Sequence, residues 1–335
     1  MTDSAAMLTA SDFLNLPYTP DMTQAGIRYA CRSLPHTYNR MGGSPLKRLR
    51  RIVAGKGVEL AFKRYLNRNS IPHDVMGETP FTDPDQYDIA IGGRHCDIKS
   101  FLITSKKRIR SLRQHPEQLL AAQALVPVDQ IERRQKNNND ILIFAFLTAL
   151  LTTNRDTLQK AIDAGQPIHM IYAMPEKWAR PEKWQGLGEL VLKANTSGEI
   201  KLELGGQNRQ RRFQSEQVIL PPKTRRTAQS EFSALSYLHV PRIPDGTIGI
   251  HNSLLGDTVL IEPSEWGNIW VYGMEVIFTG YITRGEFRQK AERLPAGRPT
   301  FQYSRTRTEN FTLPVRGLSP LKELFARAGA WAENR

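Results

Sequence analysis

Between residues 45 and 67 the apolar side chains Val58, Ala61, Phe62 and Tyr65 fall at i, i+3, i+4 and i+7, the spacing of one buried stripe on a helix. The preceding residues 1–45 mix short apolar groups with Pro17, Pro20, Pro35 and Gly42-Gly43, which predicts a lead-in of short helices. After Ile71-Pro72 the period becomes that of strands. Short strand-like runs at 75–81, 88–91 and 95–103 are separated by Asp83-Pro84-Asp85 and Gly92-Gly93, a pattern that predicts a three-stranded meander. A helix at 116–125, a buried strand or helix at 140–151, a helix at 156–164 and a strand at 168–173 are expected to follow. Such alternation predicts an α/β layer.

The tetrapeptide Pro-Glu-Lys-Trp occurs at 175–178 and again at 181–184, and prolines so spaced interrupt regular structure, predicting a linker or capping loop over 175–184. Beyond it the chain reads as β-rich. Runs at 189–194 and 199–204 flank Asn195-Thr196-Ser197-Gly198 and predict a hairpin, while residues 270–279 alternate as a long two-faced strand. The expected organisation is a helical lead-in over 1–45, an α/β core over 46–174, a loop over 175–184 and a β-rich domain over 185–335.

Composition narrows the function. The 335 residues carry 46 Lys+Arg against 33 Asp+Glu, a net charge of +13, with 40% hydrophobic residues: a folded chain with an anionic partner. Nucleic acid fits best, because phosphate contacts release counterions. The longest apolar run, 141–151, is interrupted by Thr148 and falls short of the roughly 18–20 residues of a membrane span. The opening MTDSAAMLTASDF has no basic residue and no signal-peptide core, so a cytoplasmic protein without membrane partners is expected. With Cys31 and Cys96 alone, a disulfide framework, a four-cysteine zinc site and a cysteine-bound iron–sulfur cluster lack ligands.

The candidate chemistry lies in the segment from Asp88 to Lys99, where an acid opens one strand, Gly92-Gly93 turns the chain, and Asp97-x-Lys99 sits on the next strand. Residues two apart on a strand share a face, so Asp97 and Lys99 point together, and the hairpin can bring Asp88 beside them. Carboxylates suit a hard divalent cation such as Mg²⁺, with Mn²⁺ as a substitute, and Mg²⁺ keeps sites for water and phosphate oxygens. Asp88 and Asp97 are the expected metal ligands. Lys99 is expected to orient the attacking water and stabilise charge on the phosphate.

These residues resemble the PD-(D/E)xK nuclease superfamily, the restriction-endonuclease-like group that includes Holliday-junction resolvases and many restriction enzymes, over roughly residues 46–174. The resemblance implies a mixed central sheet flanked by helices, with a glutamate on the helix before the first strand. Glu59, in Gly55-Lys56-Gly57-Val58-Glu59, stands at that place and takes on the role of a third, often water-mediated metal contact. The first signature acid is matched to Asp88 because it opens the run Ile89-Ala90-Ile91; Asp85 in Pro84-Asp85 is the alternative. The iron–sulfur branch's four cysteines are missing, and the segment from Gln118 to Gln123 lacks the tyrosine of the exonuclease branch's glutamine motif.

The basic residues Lys47, Arg48, Arg50 and Arg51, and then Lys106, Lys107, Arg108, Arg110 and Arg113, are expected to form a DNA-tracking rim around this site. No phosphate loop or methyltransferase signature is present, so a motor or modification activity would reside on a separate subunit. The resulting expectation is a Mg²⁺-dependent endonuclease for double-stranded DNA in restriction or antiphage defence, possible as a homodimer. Three alternatives stand beside it: a non-catalytic nucleic-acid-binding or assembly subunit with a degenerate site, a repair or mobile-element nuclease, and an RNase.

Overall fold

The computed structural model describes residues 8–37, 44–74, 88–132 and 137–333. The expected strand at 75–81 and the alternative acid Asp85 lie outside the described residues. The chain divides into two compact units, one comprising Met1–Thr23, Ala54–Leu150 and Tyr272–Arg335, the other Gln24–Val53 and Leu151–Val271. These units differ from the linear division read from the sequence. The segment 175–184 falls inside the second unit, and 185–335 is shared between both.

The first unit is a mixed α/β layer around a six-stranded sheet. In spatial order its strands are β1 (Leu14–Pro17), Tyr272–Thr283, Ile141–Leu150, β4 (Arg94–Ile103), β3 (Ile89–Ile91) and β2 (His73–Asp74). Only β4 and Ile141–Leu150 run parallel; the other pairs are antiparallel. Return of the chain at Tyr272–Thr283 to pair with Ile141–Leu150 is what closes this unit from distant segments. Gly92 and Gly93, at φ +55° and +71°, supply the two left-handed residues that a two-residue hairpin turn between β3 and β4 requires.

Following α1 (Pro20–Thr37), helix α2 (Pro45–Arg68) covers one face of the sheet, burying Val58, Ala61, Phe62 and Leu66 and stacking Phe62 on Phe278 at 4.8 Å. Tyr65, expected in the stripe, instead stands half-buried beside Phe325. The opposite face carries Phe101, Phe144, Phe146 and Ile277 into a core shared with Ile109, Leu112 and Phe287. Gly57 of α2 and Gly273 clasp the buried Tyr18 side chain: a Cβ added at Gly57 would lie 2.2 Å from its hydroxyl oxygen, and one added at Gly273 2.1 Å from its ring. The helix expected at 116–125 lies earlier, as α3 (Lys106–Gln114), followed by a 3₁₀ turn, Pro116–Ala121, and a strand, Gln123–Pro127. Its two buried residues, Ile109 and Leu112, are hidden in a basic run, and Ser105 caps its first turn.

The second unit is β-rich. A five-stranded sheet and a four-stranded sheet enclose a core that includes Trp178, Leu192, Leu202, Phe232 and Leu238. The expected 189–204 hairpin is absent: Leu190–Ala194 pairs with Arg225–Thr227 and Ile248–Asn252, whereas Ile200–Gln207 belongs to the other sheet. The connecting turn is drawn away by the 245–247 segment, with Asn195 N–H donating to Thr247 O and Ser197 bonded to Asp245. Trp178, from the first Pro-Glu-Lys-Trp, is buried and donates its Nε1–H to Asp257 at 2.7 Å, so this segment packs as part of the unit. No helix among the described residues is long and apolar enough to cross a membrane.

Because Tyr18 is gripped from two sides, it cannot yield to an added methyl. Replacing Gly by Ala gains about 0.5–1 kcal/mol of backbone preference, whereas overpacking costs about 1–3 kcal/mol. Gly57→Ala and Gly273→Ala are each expected to destabilise the fold by about 1–2 kcal/mol net. Urea unfolding checks this, and an unchanged or raised midpoint contradicts the clasp.

Candidate functional site

The last rung of the β3–β4 ladder is Ile89 opposite Cys96, and among the described residues the next stretch of the β4 edge has no strand partner on that side. Asp88 fills the gap. Its N–H donates to Cys96 O at 3.0 Å, and its Oδ2 accepts the Ile98 N–H at 2.6 Å. Burial pushes the Asp88 carboxyl well above the usual range, and the charges of Glu59 and Asp97 push it further; the Ile98 N–H and Lys99 oppose the shift. Its elevation is thus the sum of desolvation and like-charge crowding.

Parallel pairing sets Asp97 opposite Leu142 and Lys99 opposite Phe144, so both side chains leave the same face of β4. Lys99 Nζ lies between Asp97 Oδ1 at 2.7 Å and Gln130 Oε1 at 2.8 Å. Gln130 comes from the short helix α4 (Val128–Glu132), placed immediately after the Gln123–Pro127 strand. Arg284, the first residue of the Arg284–Lys290 helix, sets Nη2 3.7 Å from Asp97 Oδ2 and is wholly buried. Burial draws the Arg284 pKa down, while Asp97 and Asp140 hold it up. Asp97 and Lys99 keep 15% and 16% of their side-chain surfaces open, which leaves this pair a route to solvent.

Glu59 approaches from α2, where it pairs with Lys56 at 2.8 Å. A Cβ at Gly55 would lie 3.8 Å from Ser100 Oγ, so α2 covers the face of β4 opposite the one carrying Asp97 and Lys99. Asp88, at the strand edge, feels acids from both sides of the sheet. The donor set is hard oxygen under mutual repulsion, which suits a divalent cation. Yet among the described residues no three His, Cys, Asp or Glu side chains stand together as a metal-holding group. The acids meet through their fields, while Asp97 and Glu59 are each tied to a cation of the chain.

Gln130, Arg284 and Asp140 belong to this neighbourhood and escape sequence reasoning. Thr283 and Glu286 form a capping box that marks the helix start in the sequence, but nothing there aims the intervening Arg284 at Asp97. Gln118 is locked to Ser111 by paired side-chain bonds of 2.9 and 3.0 Å.

The basic residues divide by environment. On α3, Lys106, Lys107, Arg110 and Arg113 are exposed. Arg108 donates to Phe301 O and lies over the Phe301 ring at 5.0 Å. Lys47, Arg48, Arg50 and Arg51 belong to the second unit. There Lys47 and Arg51 are exposed, Arg48 is buried, and Arg50 donates to Thr152 O at 2.6 Å and Asn268 O at 2.8 Å. Comparison with protein-family models, curated proteins and solved structures finds no match for this chain.

A carboxyl whose folded pKa exceeds its unfolded value binds extra protons in the folded state, so its stabilising contribution is full at low pH and lost as pH rises through the folded pKa. Asp88→Asn keeps an acceptor for Ile98 N–H and removes the charge. In EDTA, this variant is expected to unfold at higher urea than wild type at pH 8, with the gap closing toward pH 4. Equal midpoints at both pH values contradict the crowding of Asp88.

Proposed function

We propose that the first unit is a Mg²⁺-dependent endonuclease acting on double-stranded DNA, built on a restriction-endonuclease-like core. The observation that carries this reading is that Asp88, Asp97 and Lys99 share one hairpin, with Asp88 Oδ2 bonded to Ile98 N–H between the other two and Lys99 Nζ 2.7 Å from Asp97. Asp88 and Asp97 would hold the cation, with Glu59 adding its charge from the α2 side; a cation there would supply polarisation of a phosphodiester and a more acidic water. Lys99 supplies an ammonium to charge gathering on the phosphate oxygens. The net charge of +13 and the exposed Lys106, Lys107, Arg110 and Arg113 support a polyanionic substrate. Restriction or antiphage defence is the proposed setting, with a homodimer as the assembly that supplies two active sites for a double-strand break.

A second reading, a nucleic-acid-binding subunit without turnover, is favoured by the internal pairing of Asp97 with Lys99 and of Glu59 with Lys56. Incubation with supercoiled plasmid, single-stranded DNA and RNA in Mg²⁺ or Mn²⁺ separates the two readings. Nicking or linearisation of the plasmid is expected, and Asp97→Ala and Lys99→Ala are each expected to reduce it by about 100-fold or more in protein that circular dichroism shows to be folded at the assay temperature. Full cutting by both variants removes the site; salt-sensitive binding without metal-dependent cutting selects the second reading; preferential RNA cleavage changes the substrate.

The α3 residues give an independent test. Converting Lys106, Lys107 and Arg110 together to Ala is expected to lower the slope of log affinity against log salt by about 0.9 for each lost phosphate contact. An unchanged slope places the DNA elsewhere.

A further inference from the structure

Arg284 is costly to bury, and its surroundings say what it is buried for. Its backbone N–H donates to Asp140 O at 2.7 Å and its Nη1 to Gln130 O at 2.7 Å, so the side chain is anchored at both ends. Among the described residues the remaining Nε and Nη2 have no hydrogen-bond partner, and Nη2 stands 3.7 Å from Asp97 Oδ2. A guanidinium ordinarily engages its donors when removed from water. Here the fork is held fixed with one arm directed at a single carboxylate.

The contacts form a closed ring. Asp97 Oδ1 holds Lys99 Nζ, Lys99 Nζ holds Gln130 Oε1, the Gln130 backbone holds Arg284, and Arg284 returns to Asp97 Oδ2. Among the described residues, two cations meet Asp97, one fixed and buried and one on a flexible stem with 16% of its side chain open. If Lys99 were its only counter-charge, withdrawing the ammonium would leave a partly buried carboxylate unpaired, which is strongly unfavourable.

We propose that Arg284 is a positioning residue that supplies the standing counter-charge to Asp97 and thereby frees Lys99 to turn to the scissile phosphate. The inference rests on the nuclease reading and assigns a role within it. Arg284 acts through Asp97 and Lys99 and does not touch substrate.

The test uses full-length Arg284→Met and Arg284→Lys proteins, with unfolding midpoints recorded, and compares single-turnover plasmid cleavage with Mn²⁺ binding followed by electron paramagnetic resonance. Arg284→Met is expected to cut at least 10-fold more slowly while binding Mn²⁺ as tightly as wild type or tighter, since a nearby positive charge has been removed. Arg284→Lys, which restores charge without the fork, is expected to recover most of the rate. Wild-type cutting by Arg284→Met, joint loss of Mn²⁺ binding and cutting, or a Lys variant no better than Met overturns the proposal. If Arg284→Met does not fold, the comparison passes to Arg284→Gln against Arg284→Lys with the same criteria. A wild-type protein that neither cuts nor binds Mn²⁺ overturns the nuclease reading itself, a result distinct from these.

Discussion

Pairing of Ile141–Leu150 with both neighbours is the constraint on which the first unit depends. Residues 141–149 of this strand are buried, with β4 parallel on one side and Tyr272–Thr283 antiparallel on the other. That register sets Asp97 and Lys99 above Leu142 and Phe144, on the face where Gln130 and Arg284 are waiting. A slip of one residue would turn Asp97 and Lys99 toward the α2 face and send Ile98 and Ser100 to the other. The core packing forbids it, because Phe101 and Ile103 of β4 would leave the core they share with Phe144 and Phe146 in the same motion.

Within that frame, the site is an electrostatic conflict held in place by hydrophobic burial. Three acids act on one another across the edge of a sheet, and the answering cations are placed unevenly. Lys56 meets Glu59, Lys99 and Arg284 meet Asp97, and Asp88 receives a backbone N–H and a share of the Lys99 charge. An isolated buried carboxylate is too expensive to keep ionised, and Asp88 accordingly shifts toward its neutral form. A cation placed beside such a group would oppose that shift, which is the physical content of the metal-site reading.

Local periodicity carried a good part of this. The α2 stripe, the Gly92-Gly93 hairpin and the run from Arg94 to Ile103 were legible because each is specified by residues within a few positions of one another. Helix α3 was not, since Lys106, Lys107, Arg108 and Arg110 hide the pair Ile109 and Leu112 that alone points inward. The 195–198 turn has hairpin letters but is tied to Asp245 and Thr247, contacts no local rule reports. Gly57 reads in the sequence only as a neighbour of Glu59 on the helix, whereas its structural use is to admit the side chain of Tyr18. The division into units was likewise invisible, since it depends on Tyr272–Thr283 returning to a strand far back in the chain.

The candidate site shows the same split between local and distant information. Asp88, Asp97 and Lys99 share one hairpin and were read together; Gln130 and Arg284 arrive from elements whose own sequences give no reason to look toward Asp97. Yet these late arrivals decide what the local motif can do. An Asp-x-Lys pair alone would be a neutral couple on a strand face, worth about 1 kcal/mol or less if exposed. With Arg284 behind it, Asp97 is counterbalanced whether or not Lys99 stays, and the ammonium becomes a group that can change partners. The distinction between a structural ion pair and a poised one thus lies in the third charge, which the fold brings from the other end of the chain.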